Sequence, residues 1–202
     1  LYHAALARAY LCKHQLTRER VWENRAATAC QHAMSIDPTA PEARLALGYL
    51  KLNAGQHGAA LEEFAAVLQM EPRAFEARLG LGRAEADAGN LAGAERTCLA
   101  AVAERPDDWR GHSLLGWVRF RQKRYSDALG PWQRVVELTP DNARGRRNLG
   151  TALYRLDRHQ EAVDAYHESL AIQPNDEAYS NLGAALYVLE RYEEAIAAFR
   201  TA

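Results

Sequence analysis

Three cysteines, seven histidines and a few adjacent acid pairs are the residues of this 202-residue chain whose types could do covalent or metal chemistry. Cys12, Cys30 and Cys98 are far apart, and none belongs to a CxxC pair. That spacing supplies neither a disulfide framework nor a zinc site, and it points to a reducing, cytoplasmic setting. The histidines (3, 14, 32, 57, 112, 159 and 167) show no metal-ligand spacing with cysteines or carboxylates. Glu62-Glu63 and Glu193-Glu194 stand where helices are expected to open, where negative charge suits the helix dipole. Phosphate-binding loops, dinucleotide glycines, zinc-protease motifs, nucleophile elbows and kinase signatures are absent from the sequence. The expectation is a segment that is not an enzyme, with no cofactor and no metal.

What remains is the chemistry of arginine and aromatic rings. Residues 109–158 hold eleven arginines and lysines against four acids, a net charge of +7. Residues 1–108 sum to −2 and residues 159–202 to −6, so charge is segregated within a chain of net charge −1. Trp117, Phe120 and Tyr154 lie inside the basic block. Guanidinium groups hold carboxylates and aromatic faces accept apolar side chains, so the expected partner is an acidic protein or peptide carrying apolar residues. Arginine with aromatics also suits single-stranded nucleic acid, but the slightly acidic chain argues against it.

The elements that position these residues come from a repeat. Prolines fall at 38, 72, 106, 140 and 174, each 34 residues after the last. Proline is about 5% of average composition, so four further hits at prescribed positions have odds of roughly 6 in a million. Leu-Gly recurs at 47–48, 81–82, 115–116, 149–150 and 182–183, and alanine at 26, 60, 94, 128, 162 and 195. Hydrophobic residues at 48% and charged residues at 25% fit a folded globular chain. No apolar run reaches the roughly 18 residues that a membrane-spanning helix needs.

This pattern resembles the tetratricopeptide repeat, a 34-residue helix–turn–helix. With Leu-Gly at positions 7 and 8 of each repeat, alanine takes position 20 and proline position 32, as in that family. Repeats then cover 41–74, 75–108, 109–142 and 143–175, with a shortened repeat at 176–202. Residues 1–40 form an irregular first repeat with about seven extra residues, expected in its helix–helix turn around Lys13–Glu23. The resemblance implies an all-α, right-handed superhelical solenoid over 1–202, in which stacked neighbours share a core that no single hairpin could bury. The position-8 glycine should admit close helix approach against the position-20 alanine, and the position-32 proline should end each second helix. Cys30 and Cys98 share position 24 with Phe64, Trp132, Tyr166 and Phe199, and are expected to be buried structural thiols. Charged or ionisable side chains at position 4 (Arg44, Arg78, His112, Arg146) and position 11 (Lys51, Glu85, Arg119), where the family favours large aromatic or apolar residues, should cover the core with their stems. Glu85 would then bridge to Lys51 or Arg119 on neighbouring helices.

In this family positions 2, 5, 9, 12 and 13 line a concave groove that takes a peptide or partner helix. The resemblance therefore places Arg110, Ser113, Trp117, Phe120 and Arg121, then Arg144, Arg147, Thr151, Tyr154 and Arg155, in one groove, with Asn148 beside them at position 6. The carboxylate clamp of chaperone-binding members is not reproduced, because only Asn148 matches it. The position-6 asparagine ladder of glycosyltransferase-linked arrays is incomplete, reading Ala46, Gly80, Leu114, Asn148 and Asn181. The implied function is a protein-interaction scaffold. The wording TPDNARGRRNLG at 139–150 is similar to arrays that follow bacterial serine/threonine kinase or cyclase domains, which gives the alternative of a non-catalytic regulatory fragment. The chain opens at Leu1 without an initiator methionine or leader pattern and reads as a fragment.

Two local expectations complete the reading. Pro131 should fall at the fifth residue of a helix capped by Ser126, kinking it or loosening its first turn and re-aiming Trp132. Ala195, Ile196 and Phe199 form a stripe in the last helix, which should pack on a capping helix or on a second copy.

Overall fold

The computed structural model describes residues 2–17 and 19–202. Among them are twelve α-helices and no strands: α1 (Tyr2–Thr17), α2 (Arg20–Ile36), α3 (Pro41–Asn53), α4 (His57–Met70), α5 (Phe75–Asp87), α6 (Leu91–Glu104), α7 (Trp109–Arg121), α8 (Tyr125–Leu138), α9 (Ala143–Arg155), α10 (His159–Ile172), α11 (Asp176–Val188) and α12 (Tyr192–Thr201). Two compact units divide the chain at residues 104 and 105. The first holds α1–α6 and the second α7–α12. Within each unit every helix packs on its successor, so the core is a stack of helix hairpins.

Each regular hairpin turns through one residue of positive φ at position 15. In the first unit these are Gly55 (74°) and Gly89 (89°), which pay no Cβ penalty there. In the second unit Lys123 (61°), Asp157 (58°) and Glu190 (60°) take the same conformation with a side chain attached. The units also differ at the start of their odd-numbered helices. Asp108, Asn142 and Asn175 accept hydrogen bonds from the amides of Arg110 (3.0 Å), Gly145 (2.9 Å) and Ala178 (2.9 Å). Ala40 and Ala74 occupy the equivalent cap positions of α3 and α5 and offer no side-chain oxygen.

Close helix approach has a different partner from the one the alanine ladder suggests. Nearest to the position-8 glycine lies the ring at position 24 of the same repeat. A methyl group added to Gly116 would stand 2.5 Å from Trp132 Nε1, and one on Gly48 would stand 2.7 Å from Phe64 Cε1. Tyr166 and Phe199 cover Gly150 and Gly183 in the same way. Ala60, Ala94, Ala128 and Ala162 are fully buried, so they still set the hairpin spacing. Cys30 and Cys98 take the place of the ring and are buried as expected.

The first repeat departs from its expected form. Only residues 18 and 19 separate α1 from α2, so the extra residues lengthen both helices rather than the turn. The segment KHQLTRERVWE contains neither glycine nor proline, so no helix-breaking residue shortens the helices on either side.

The charged positions 4 and 11 pair inside their own repeat, not with neighbouring equivalents. Glu63, at position 23, receives Arg44 (3.1 Å) and Lys51 (2.7 Å). Glu85 does not bridge to Lys51 or Arg119; its carboxylate accepts from Thr97 Oγ1 at 2.6 Å, again at position 23. Three of the basic residues at position 4 also reach the carbonyl of the preceding proline: Arg78 to Pro72, Arg146 to Pro140 (3.0 Å), and the His112 ring to Pro106 (2.8 Å).

Proline 131 explains the third pair. Helix α8 is capped at Arg124 rather than Ser126 and runs unbroken to Leu138, so Pro131 is its seventh residue. Its first turn is closed by the Ala128 amide on the Arg124 carbonyl (3.2 Å), and the expected loosening does not occur. Proline has no amide to bond the Asp127 carbonyl. Arg119 Nη1 donates to that oxygen at 3.1 Å, supplying from α7 the hydrogen bond that proline removes from α8.

Candidate protein-interaction groove

Helices α7, α9 and α11 carry the proposed groove positions of the second unit. Proline and Asx set their starts, at Pro106-Asp107-Asp108, Pro140-Asp141-Asn142 and Pro174-Asn175. Trp117 and Phe120 pack half-buried on a core of Ala128, Trp132, Val135 and Ala152. Trp132 is held in turn by its indole N–H on the Ser113 carbonyl, 3.3 Å away. The Arg121 guanidinium lies 5.0 Å from the Trp117 ring centre, a cation–π contact on an exposed side chain. Tyr154 packs half-buried on the core that contains Leu153, Tyr166 and Leu186.

Several arginines of the site already have acids. Arg110 holds its own helix cap, with Nε 2.9 Å from Asp108 Oδ1 and Nη2 2.7 Å from Oδ2. That contact keeps the Asp108 carboxyl below the ordinary carboxylate range. Arg147 Nη1 lies 2.6 Å from Glu177 Oε2 on α11, which shows that position 5 of one repeat and position 2 of the next face each other. Arg144 is exposed on α9, and Asn148 is half-buried there. Thr151 Oγ1 donates to the Arg147 carbonyl (2.9 Å) and accepts from Tyr166 OH (3.4 Å). Burial pushes the Tyr166 phenol up to about 12, opposed by that hydrogen bond. Arg155 is exposed, and no acid among the described residues stands within ion-pair distance of it.

A ring contact recurs across the turns of the second unit. Position 12 meets position 17 as a ring pair in each repeat of the second unit: Phe120 with Tyr125 (5.0 Å), Tyr154 with His159 (5.1 Å) and Tyr187 with Tyr192 (5.6 Å). The signal was available as rings five residues apart across each turn. The first unit has Leu52 with His57 and Ala86 with Leu91 at those positions.

No group of three histidines, cysteines or acids that could hold a metal ion occurs among the described residues. No described helix is long and apolar enough to cross a membrane. The arrangement offers arginines and aromatic faces for binding.

Models of the tetratricopeptide repeat match residues 45–108, 96–143, 113–177 and 176–202. The chain belongs to the tetratricopeptide repeat family. Solved tetratricopeptide-type folds align over most of its length. A crystal structure of MamA is 24% identical, covers 76% of this chain and 91% of its own, and gives a TM-score of 0.68. MamA 41-end from Desulfovibrio magneticus RS-1 is 20% identical, covers 79% and 91%, and gives 0.71. At these identities the likeness shows the shared fold alone. No curated protein matches the sequence. As a tetratricopeptide array, the chain is a protein-interaction scaffold.

Proposed function

We propose that the groove of α7, α9 and α11 binds an acidic, partly apolar segment of a protein partner, and that the chain acts by binding rather than catalysis. Arg155 carries this reading. It is exposed, has no ion-pair partner among the described residues, and follows Tyr154, whose ring is half-buried. A carboxylate reaching it gains a charge-assisted hydrogen bond of about 1.5–3 kcal/mol. Together with apolar contacts on Trp117 and Phe120, that contact supports micromolar affinity, about −8 kcal/mol. The test is fluorescence anisotropy with a labelled peptide of alternating glutamate and tyrosine. Arg155→Glu or Trp117→Ala should weaken binding at least several-fold, whereas Arg73→Glu in the first unit should not. Equal affinities for all four chains would overturn the assignment.

A second reading is favoured by α12, where Tyr192, Ile196 and Phe199 are 50%, 44% and 48% exposed. Exposed apolar stripes of this kind promote association. Light scattering over a concentration series should then show association that Ile196→Lys abolishes. A concentration-independent monomer for both chains would remove this reading.

A further inference from the structure

The arginines of the groove are not equivalent acceptors of a partner's charge. The Arg147 side chain is 16% exposed, while the side chain of Glu177, whose Oε2 meets it at 2.6 Å, is 69% exposed. Arg147 is the enclosed partner of the pair and Glu177 the exposed one, so the acid is the part that can swing into solvent. Arg110 is committed in the same way to Asp108, but that acid also caps α7 through the Arg110 amide and is bound to its place. Glu177 lies in the first turn of α11, where Asn175 already performs the capping. Displacing Glu177 costs no cap.

We infer that Glu177 is a specificity-determining residue of the groove, its carboxylate occupying the place on Arg147 that a partner's carboxylate would take. The inference rests on the groove reading given above. Binding at Arg147 is then an exchange of one acid for another, with no net gain of ion pairs, whereas an acid at Arg155 forms a new pair. Affinity accordingly depends on where a partner places its acids, and additional acids aimed at Arg147 bring little. Glu177 holds the groove below its full attraction for acidic chains and so discriminates against unspecific polyanions.

The experiment compares wild type, Glu177→Gln, Arg147→Gln and the double variant, using the same glutamate–tyrosine peptide by anisotropy. Glutamine keeps the shape of the side chain, and thermal melts verify folding. Glu177→Gln should tighten binding by about twofold to fivefold, the range set by an exposed ion pair. The affinity of Glu177→Gln should also fall more steeply with added salt than wild type. The double variant should bind no better than Arg147→Gln. Glu193→Gln, which removes an acid on α12 without freeing an arginine, controls for net charge. Unchanged or weaker binding by Glu177→Gln, or an equal gain from Glu193→Gln, overturns the inference while leaving the groove intact. If Arg155→Gln has no effect, the groove reading fails separately. Absence of binding by every chain overturns both.

Discussion

Individual side chains make the sharpest commitments. Burial pushes the Cys30 thiol up to about 11 and the Cys98 thiol up to about 12, against an ordinary value of 9.0. A raised value in the folded state means that the unfolded chain releases these protons first. Their contribution to stability is complete below pH 9 and is lost as pH rises towards 11 and 12. Thermal melts should therefore show an alkaline loss of stability that Cys30→Ala and Cys98→Ala each reduce. A thiol reagent should label exposed Cys12 at once and the other two only on unfolding. At Gly116, substitution by alanine would press a methyl group on the buried Trp132 ring and should cost about 1–3 kcal/mol despite the better helix propensity. The hydrogen bond from Arg119 to Asp127 predicts a coupling: Arg119→Met should destabilise by about 1 kcal/mol beside Pro131, and by clearly less in a Pro131→Ala background. Denaturant unfolding of the four chains measures it.

Helices and turns follow backbone rules that the sequence states unevenly. The proline, Leu-Gly and alanine ladders disclose the hairpins and their order because each ladder marks a place where only a few residue types fit. The first repeat was misplaced because seven added residues carry no statement of where a helix stops. Helix α1 continues to Thr17 and α2 begins at Arg20, so most of the added residues join the helices. Position 15 was legible in the first unit, where glycine announces a positive φ, and silent in the second, where Lys123, Asp157 and Glu190 adopt it unannounced. A non-glycine residue there costs about 1–2 kcal/mol, partly offset by the entropy that glycine loses on folding. Lys123→Gly and Glu190→Gly should each stabilise by about 0.5–1 kcal/mol, seen as a raised melting temperature. At the helix starts, Ala74→Asp should stabilise α5 by about 1 kcal/mol, since the equivalent Asp108 and Asn142 already cap their helices.

For the molecule as a whole, charge and repeat chemistry divide the chain into unlike parts. The +7 block of residues 109–158 lies within the second unit, which also holds the aromatic pairs and the Asx caps. Association with an acidic peptide should weaken as salt rises, because exposed charges are screened over about 8 Å at physiological ionic strength. Binding that is insensitive to salt would contradict a groove read through arginine. The aromatic and arginine positions of the proposed groove were visible in the sequence as types at family positions. Their partners were not: Arg147 meets Glu177 thirty residues away, and neither periodicity nor composition specifies that pair.

The pairing of position 11 with position 23 bears on how such an array can be rearranged by duplication and recombination. Lys51 meets Glu63, Glu85 meets Thr97, and Arg119 bonds the Asp127 carbonyl that Pro131 leaves without an amide, each match sealed inside one hairpin. A crossover at the inter-repeat prolines carries every match along intact. A crossover at the hairpin tip, joining α5 to α4, would set Glu85 against Glu63, two acids at a half-buried seam. Whole repeats of this chain therefore carry their position-11 matches with them, and half-repeats do not.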